Sequence, residues 1–268
     1  MGHESVRTRM KKAELNAVLD DVLRILEADD GNTFEEKRAL AIDRLKKEER
    51  SDLTDLLLAK AWSEKEGAKV KNHFWQCGEI PCGDGETILR DVHEADRNDL
   101  VAVRKEYYPL KEALKMDVFS EIVWNEHNAG DTLMCSIIHK GEYAGYCGIA
   151  DLWKKPFEIT IELYPHKTNQ KIGKKAICAM LDAIKERMNI CQFKIRIDPQ
   201  NIPSQKMFNG LGAKPKGILK ICKDLTLNAK VEADSLHEID EQLIEIAEKF
   251  AVEPRLLLTH VLEYSLEW

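Results

Sequence analysis

The stretch from Ile159 to Leu181, ITIELYPHKTNQKIGKKAICAML, constrains the fold more than any other part of the chain. Ile159 to Tyr164 alternates and is rich in β-branched residues, the pattern of a strand. Pro165 cannot donate to a sheet ladder and ends it. After a polar bridge, His166 to Gln170, apolar residues recur at Ile172, Ala176, Ile177, Met180, Leu181 and Ile184. Spacings of three and four define one face of a helix. The first N–H groups of that helix have no intrahelical partner, and its dipole favours negative charge at the same end. Gly173 stands in the first turn, and Lys167, Lys171, Lys174 and Lys175 crowd around it. Lysines there oppose the dipole, a cost that a bound polyphosphate would offset. The plain alternative is an ordinary βα unit with a solvated basic turn.

The following stretch, FKIRIDPQNIPSQKMFNGLGAKPKG, runs from a strand at Phe193 to Ile197 into Asn201, Ser204, Phe208 and Leu211-Gly212-Ala213. In order and spacing the two stretches together resemble the second half of the GNAT acetyltransferase superfamily, and the resemblance covers about residues 86–226. It implies an α/β (α+β) domain with a mixed, mostly antiparallel central sheet flanked by helices, and acetyl-CoA as co-substrate. It implies that the turn Asn169, Gln170, Lys171, Ile172, Gly173 and Lys174 holds the pyrophosphate. The strand end at Leu163 and Tyr164, with Asn201, Ser204 and Phe208 on the later helix, would complete the cofactor site. Glu158 stands where many members carry a glutamate base; the other reading is a surface glutamate at a strand end. Glu162 falls on the same face by the two-residue period, giving two candidate catalytic carboxylates.

Three residues depart from the family pattern. Thr168 stands where a basic or amide residue is common, and Lys171 replaces the first glycine of the turn. Phe208 replaces a tyrosine that protonates the leaving thiolate in many members. Either the thiolate leaves unassisted or another group, such as Tyr164, substitutes. The chemistry implied is acetyl transfer to a primary amine, a small amine or a protein N-terminus, by direct attack.

A chain of 268 residues has room for more than one core, and 44% hydrophobic with 32% charged residues fits a globular protein. The apolar runs are too short for a membrane span, and the charged first dozen residues lack a signal-peptide core. A net charge of −7 argues against nucleic acid as a general partner. Seven scattered cysteines suit a reducing, cytoplasmic compartment. Cys77 and Cys82 have no matching second pair, so they read as free thiols and no metal is expected.

Residues 1–72 read as helical. Leu15 to Leu26 carries one apolar stripe, Thr33 to Glu36 has capping-box spacing before a second helix, and Ser51 can cap a third through Trp62. Residues 73–85, with Gly and Pro and no period, read as a linker before the domain at 86–226. In the tail, residues 231–268, Ile239 to Phe250 forms a helical stripe. Pro254 suggests the start of a second, leucine-rich helix through Trp268. With few basic residues, that pair suits packing on the N-terminal helices, as an added helical lobe, or on a second copy as a homodimer. Two further functions stay open: a non-catalytic acyl-CoA sensor, and an interaction protein with this domain as its scaffold.

Overall fold

The computed structural model describes residues 21–22, 24–26, 28, 31–47, 66–107, 117–152, 154–221 and 225–268. They fall into two units, residues 1–73 with 129–131 and residues 74–128 with 132–268. In the first, helix α1 (Phe34–Lys47) starts at a reciprocal cap. The Thr33 N–H donates to Glu36 Oε2 at 2.7 Å, and the Glu36 N–H donates to Thr33 Oγ1 at 3.3 Å. Val22, Leu26 and Ala41 are buried in this unit. The helix expected from Ser51 to Trp62, like the start of the first one, lies outside the described residues.

The expected linker is not one. Helix α2 (Ala68–Trp75) ends in it, with Phe74 fully buried. Strand β1 (Ile80–Pro81) then pairs antiparallel with β2 (Thr87–Asp91). Arg187 seals the segment, donating to the Phe74 carbonyl at 2.8 Å with its guanidinium 4.9 Å from the Phe74 ring centre. The glycines and prolines that suggested a linker are turn and strand-end residues.

Helices α3 (Arg97–Tyr107) and α4 (Asp117–His127) follow β2. The sheet continues through β3 (Leu133–His139), β4 (Glu142–Ile149) and β5 (Phe157–Leu163). Helix α5 (Ile172–Met188) leads to β6 (Gln192–Ile197), and α6 (Ile202–Asn209) to β7 (Lys214–Lys220). Among the described residues eight strands form one sheet in the order β1-β2-β3-β4-β5-β6-β8-β7, and only the β5–β6 pair is parallel. Helix α5 buries Ile172, Ala176, Ile177, Met180, Leu181 and Ile184, the stripe legible in the sequence.

The tail corrects the expectation of a second helix at Arg255–Trp268. After α7 (Leu225–Asp234) and α8 (Glu241–Phe250) comes one short 3₁₀ turn, Pro254–Leu258. The chain then enters the sheet as β8 (His260–Glu267), paired antiparallel on both sides, with β6 and with β7. His260, Leu262, Tyr264 and Leu266 are buried in alternation, a strand period, so this apolar set is covered by the sheet's own core. Phe250 packs edge-on against Tyr264, ring centres 5.2 Å apart, and places α8 on the same core.

Candidate active site

Strand β5 organises the site because its two edges and two faces meet different things. On one edge it stays with β4: the Ala150 N–H donates to the Glu158 carbonyl at 3.1 Å, and the Tyr164 N–H to the Ala144 carbonyl at 3.0 Å. In an antiparallel ladder this turns the backbone groups of the odd residues toward the other edge. There β6 pairs only as far as Ile159↔Ile195. Beyond that point the strands separate, and Ile161 and Leu163 face a cleft with no ladder across it. The Leu163 carbonyl accepts from the Tyr107 hydroxyl at 2.7 Å.

The cleft runs to the N-terminus of α5. Asn169 and Lys171 both take the left-handed conformation, φ 60° and 63°. Lys171 is the N-cap residue of α5 and supplies no side-chain cap, and no acid stands in the first turn. Lys171 thus adopts the backbone that a glycine adopts without strain. A Cβ on Gly173 would lie 3.2 Å from Ile161 Cδ1, 3.3 Å from Leu163 Cδ1 and 3.8 Å from Met207 Sδ. Helices α5 and α6 and the free end of β5 therefore converge at Gly173. Lys167 is bound to Glu142 at 2.7 Å and Lys175 to Asp84 at 2.9 Å, whereas Lys171 and Lys174 are exposed and form no ion pair among the described residues.

The opposite face of β5 carries Glu158, Thr160 and Glu162. The two glutamates share that face but do not form a pair, since four strand residues separate them by about 13 Å. Glu158 lies in the paired part, 3.4 Å from Lys194 Nζ and 3.3 Å from Arg196 Nη1. Glu162 lies beside the open part, opposite Tyr146 in the register, with its Oε1 bound by Arg104 of α3. Its Oε2 is buried and has no hydrogen-bond partner. Burial pushes the Glu162 carboxyl above the ordinary glutamate range, although Arg104 and the Tyr146 hydroxyl pull it down. Arg104 and Tyr146 line a cavity of about 270 Å³ with Leu100, Val123, Met134 and Thr160. A larger hollow, about 530 Å³, lies on the outer flank of α5 against β1, away from both carboxylates.

Helix α3 is tied to the end of β5 at three points, Arg104 to Glu162, Tyr107 to the Leu163 carbonyl and Asp99 to Tyr164. The Tyr164 hydroxyl is held by Asp99 Oδ1 at 3.0 Å, and burial with that bond pushes it up to about 12. It is therefore engaged away from the cleft rather than facing a thiolate. Phe208 is 2% exposed and Ile172 is 1% exposed, so both side chains are core rather than cofactor contacts. Asn201 caps α6, its side chain accepting from the Ser204 N–H at 3.2 Å. Asn169 and Gln170 are exposed in the turn, the latter donating to the His166 carbonyl at 2.7 Å. Arg104, Tyr107, Tyr146 and Met207 were not legible as site residues, because each meets β5 or α5 across a long sequence separation, whereas Thr160 falls between Glu158 and Glu162 on the same face of β5.

An anion-receptive helix end opens into a cleft between parted parallel strands, with a carboxylate and a small cavity on the far face. Residues 86–214 match the family model of the acetyltransferase (GNAT) domain, and the chain carries that domain. This match supports acetyl transfer as the activity of the domain. One similar solved structure is RimL, a ribosomal L7/L12 alpha-N-protein acetyltransferase in complex with coenzyme A. It is 16% identical with a TM-score of 0.50, covering 70% of this chain and 97% of that one. Another is the Salmonella typhimurium enzyme that modifies the N-terminal serine of L7/L12, 17% identical, TM-score 0.45, covering 71% and 99%. A third is MccE, a microcin C7 self-immunity acetyltransferase in complex with acetyl-CoA and AMP, 14% identical, TM-score 0.48, covering 70% and 94%. Among curated proteins, none matches the chain by sequence. Among the described residues no helix is long and apolar enough to cross a membrane, and no cluster of side chains is arranged to hold a metal ion.

Proposed function

We propose that the chain transfers acetyl from acetyl-CoA to a primary amine that arrives through the cavity between α3, α4 and β5, with Glu162 as the base. The observation that carries this is the buried Oε2 of Glu162, without a partner, on the face of β5 opposite the parted edge. In the proposed path the pyrophosphate sits on the open N–H groups of α5 beside Lys171 and Lys174, and the thioester arm lies along Ile161 and Leu163. The ammonium of the acceptor gives a proton to Glu162, directly or through one water. The free amine attacks the thioester carbonyl, the carbon–sulfur bond breaks, and the thiolate takes the proton released by the new amide. Glu158 is less suited, because Lys194 and Arg196 already occupy its carboxylate. RimL acts on a protein α-amine, which makes a protein N-terminus one class of acceptor to test and a small amine the other.

Thiol release from acetyl-CoA, measured with glycinamide, tyramine, spermidine and a serine-initiated peptide, tests the reading. Release above the hydrolysis rate with at least one of them is expected. Release with none, despite binding, would make the chain an acyl-CoA-binding module. A second check uses Gly173→Ala. The new methyl meets the tips of Ile161 and Leu163 closely and Met207 Sδ at ordinary contact, and alanine is favoured over glycine in a helix by about 0.5–1 kcal/mol, so the unliganded stability should hardly change. The methyl narrows the cleft, so the stabilisation from acetyl-CoA at a hundred times its dissociation constant, about 2.7 kcal/mol in the parent, should fall. Full ligand stabilisation in the variant would put the cofactor elsewhere.

A further inference from the structure

We infer that Arg104 is the positioning residue of this site: it holds one oxygen of Glu162, keeps the carboxylate charged against its burial, and leaves the other oxygen to receive the acceptor's proton. This rests on the reading of Glu162 as the base. Arg104 and Glu162 lie 58 residues apart, on α3 and β5, and their contact joins the helix that walls the acceptor cavity to the strand that borders the cofactor cleft. The guanidinium also reaches the Tyr146 hydroxyl at 3.4 Å. Arg104 and Tyr146 both line the cavity, and Glu162 stands behind them. The division of the carboxylate is therefore built in: Oε1 is taken by a cation that cannot lose its proton, and Oε2 is left open.

The charged and titratable groups around Glu162 are few. Arg104 and Tyr107 face it from α3, with Glu106 acting on Tyr107. Tyr146 faces it from β4, and the His127 ring of α4 packs edge-on against Tyr146 at 4.6 Å. Glu126 of α4 lines the cavity. Along β5 the nearest acid is Glu158, engaged with Lys194 and Arg196. Arg104 is thus the one fixed cation on Glu162 among the described residues. Without it, burial acts against the carboxylate with only a tyrosine hydroxyl in opposition, and a larger share is protonated at a given pH. A protonated Glu162 cannot take the ammonium's proton.

The test is the Arg104→Met variant of the full chain, with carboxyl-labelled glutamate followed by NMR across pH and the Glu162 signal assigned by its loss in Glu162→Gln. The Glu162 midpoint should rise by about one pH unit or more, the usual size of an adjacent cation's effect. The acid limb of thiol release, read with the best amine of the panel above, should rise by the same amount. Arg104→Lys, which keeps the charge, should restore both. A thermal melt confirms folding, and Arg104→Gln serves if methionine does not fold. A rate reduced equally at every pH, with an unmoved acid limb, overturns the inference and leaves Arg104 as a structural ion pair. No thiol release from the parent with any amine instead sinks the reading on which it rests.

Discussion

Replacing Asp96 with alanine is expected to destabilise the acetyltransferase domain by about 3–5 kcal/mol, the cost of stranding one partner of a buried ion pair. Asp96 is 4% exposed and receives two bonds from Arg90, at 2.6 and 2.8 Å. It also accepts from the Ser136 hydroxyl at 2.7 Å and the His93 N–H at 3.0 Å. One carboxylate thus joins β2, β3 and the turn that starts α3. Removing it leaves a mostly buried guanidinium with only the Asp91 carbonyl to bind, and a buried hydroxyl and a backbone N–H without this acceptor. Burial pushes the Asp96 carboxyl up, but Arg90, His93 and Ser136 outweigh it and hold it below the ordinary aspartate value. The sign of the pH dependence follows. A depressed carboxyl contributes stability above its unfolded value, near pH 4, and loses it as pH falls through the lower folded value. Urea titrations of parent and variant should therefore differ most at pH 5–8 and converge in acid. A gap that stays constant down to pH 2 would mean that packing, rather than the charge network, sets the cost. Since the same network anchors α3, the variant should also lose transfer rate beyond what its unfolded fraction explains.

The βα unit from Phe157 to Met188 was legible because its signals are local: alternation, a proline stop, then a helical stripe. The tail was not, although His260, Leu262, Tyr264 and Leu266 alternate as clearly as Ile159 to Tyr164 does. The run Leu256-Leu257-Leu258 behind Pro254 carries a helix-start signal that competes with the alternation. Only the sheet, which leaves a slot between β6 and β7, decides between them. Strand β7 carries Pro215 and Gly217, which an edge strand tolerates. In the site, the period of two placed Glu158 and Glu162 on one face but could not say which is free. That depends on Lys194 and Arg196 in the next strand and on Arg104 in a helix 58 residues earlier, and no local pattern encodes such a meeting. The tyrosine missing at Phe208 was visible in the chain, whereas the engagement of Tyr164 with Asp99 was not.

Glu162→Gln should lower the rate of amine acetylation by about a hundredfold or more, the usual worth of a positioned general base. The amide keeps the shape and can still accept from Arg104, so the domain should remain folded, at some cost for leaving the Arg104 charge uncompensated. Acetyl-CoA binding should also be unchanged, because Gly173, Ile161 and Leu163 meet on the other face of β5. The defect must therefore appear in the rate with bound cofactor. Its pH dependence identifies the cause. In the parent, Glu162 works only when ionised, and burial raises its value above 4.5, so activity should fall as pH drops through that raised value. In the variant this acid limb should vanish, leaving a rate that climbs tenfold per unit with the fraction of free amine, and the deficit should shrink toward high pH. Glu158→Gln is the control: it should release Lys194 and Arg196, cost some stability and leave the profile in place. If Glu158→Gln abolishes transfer while Glu162→Gln does not, the proton leaves through the paired end of β5, and the acceptor enters there rather than through the cavity behind Arg104 and Tyr146.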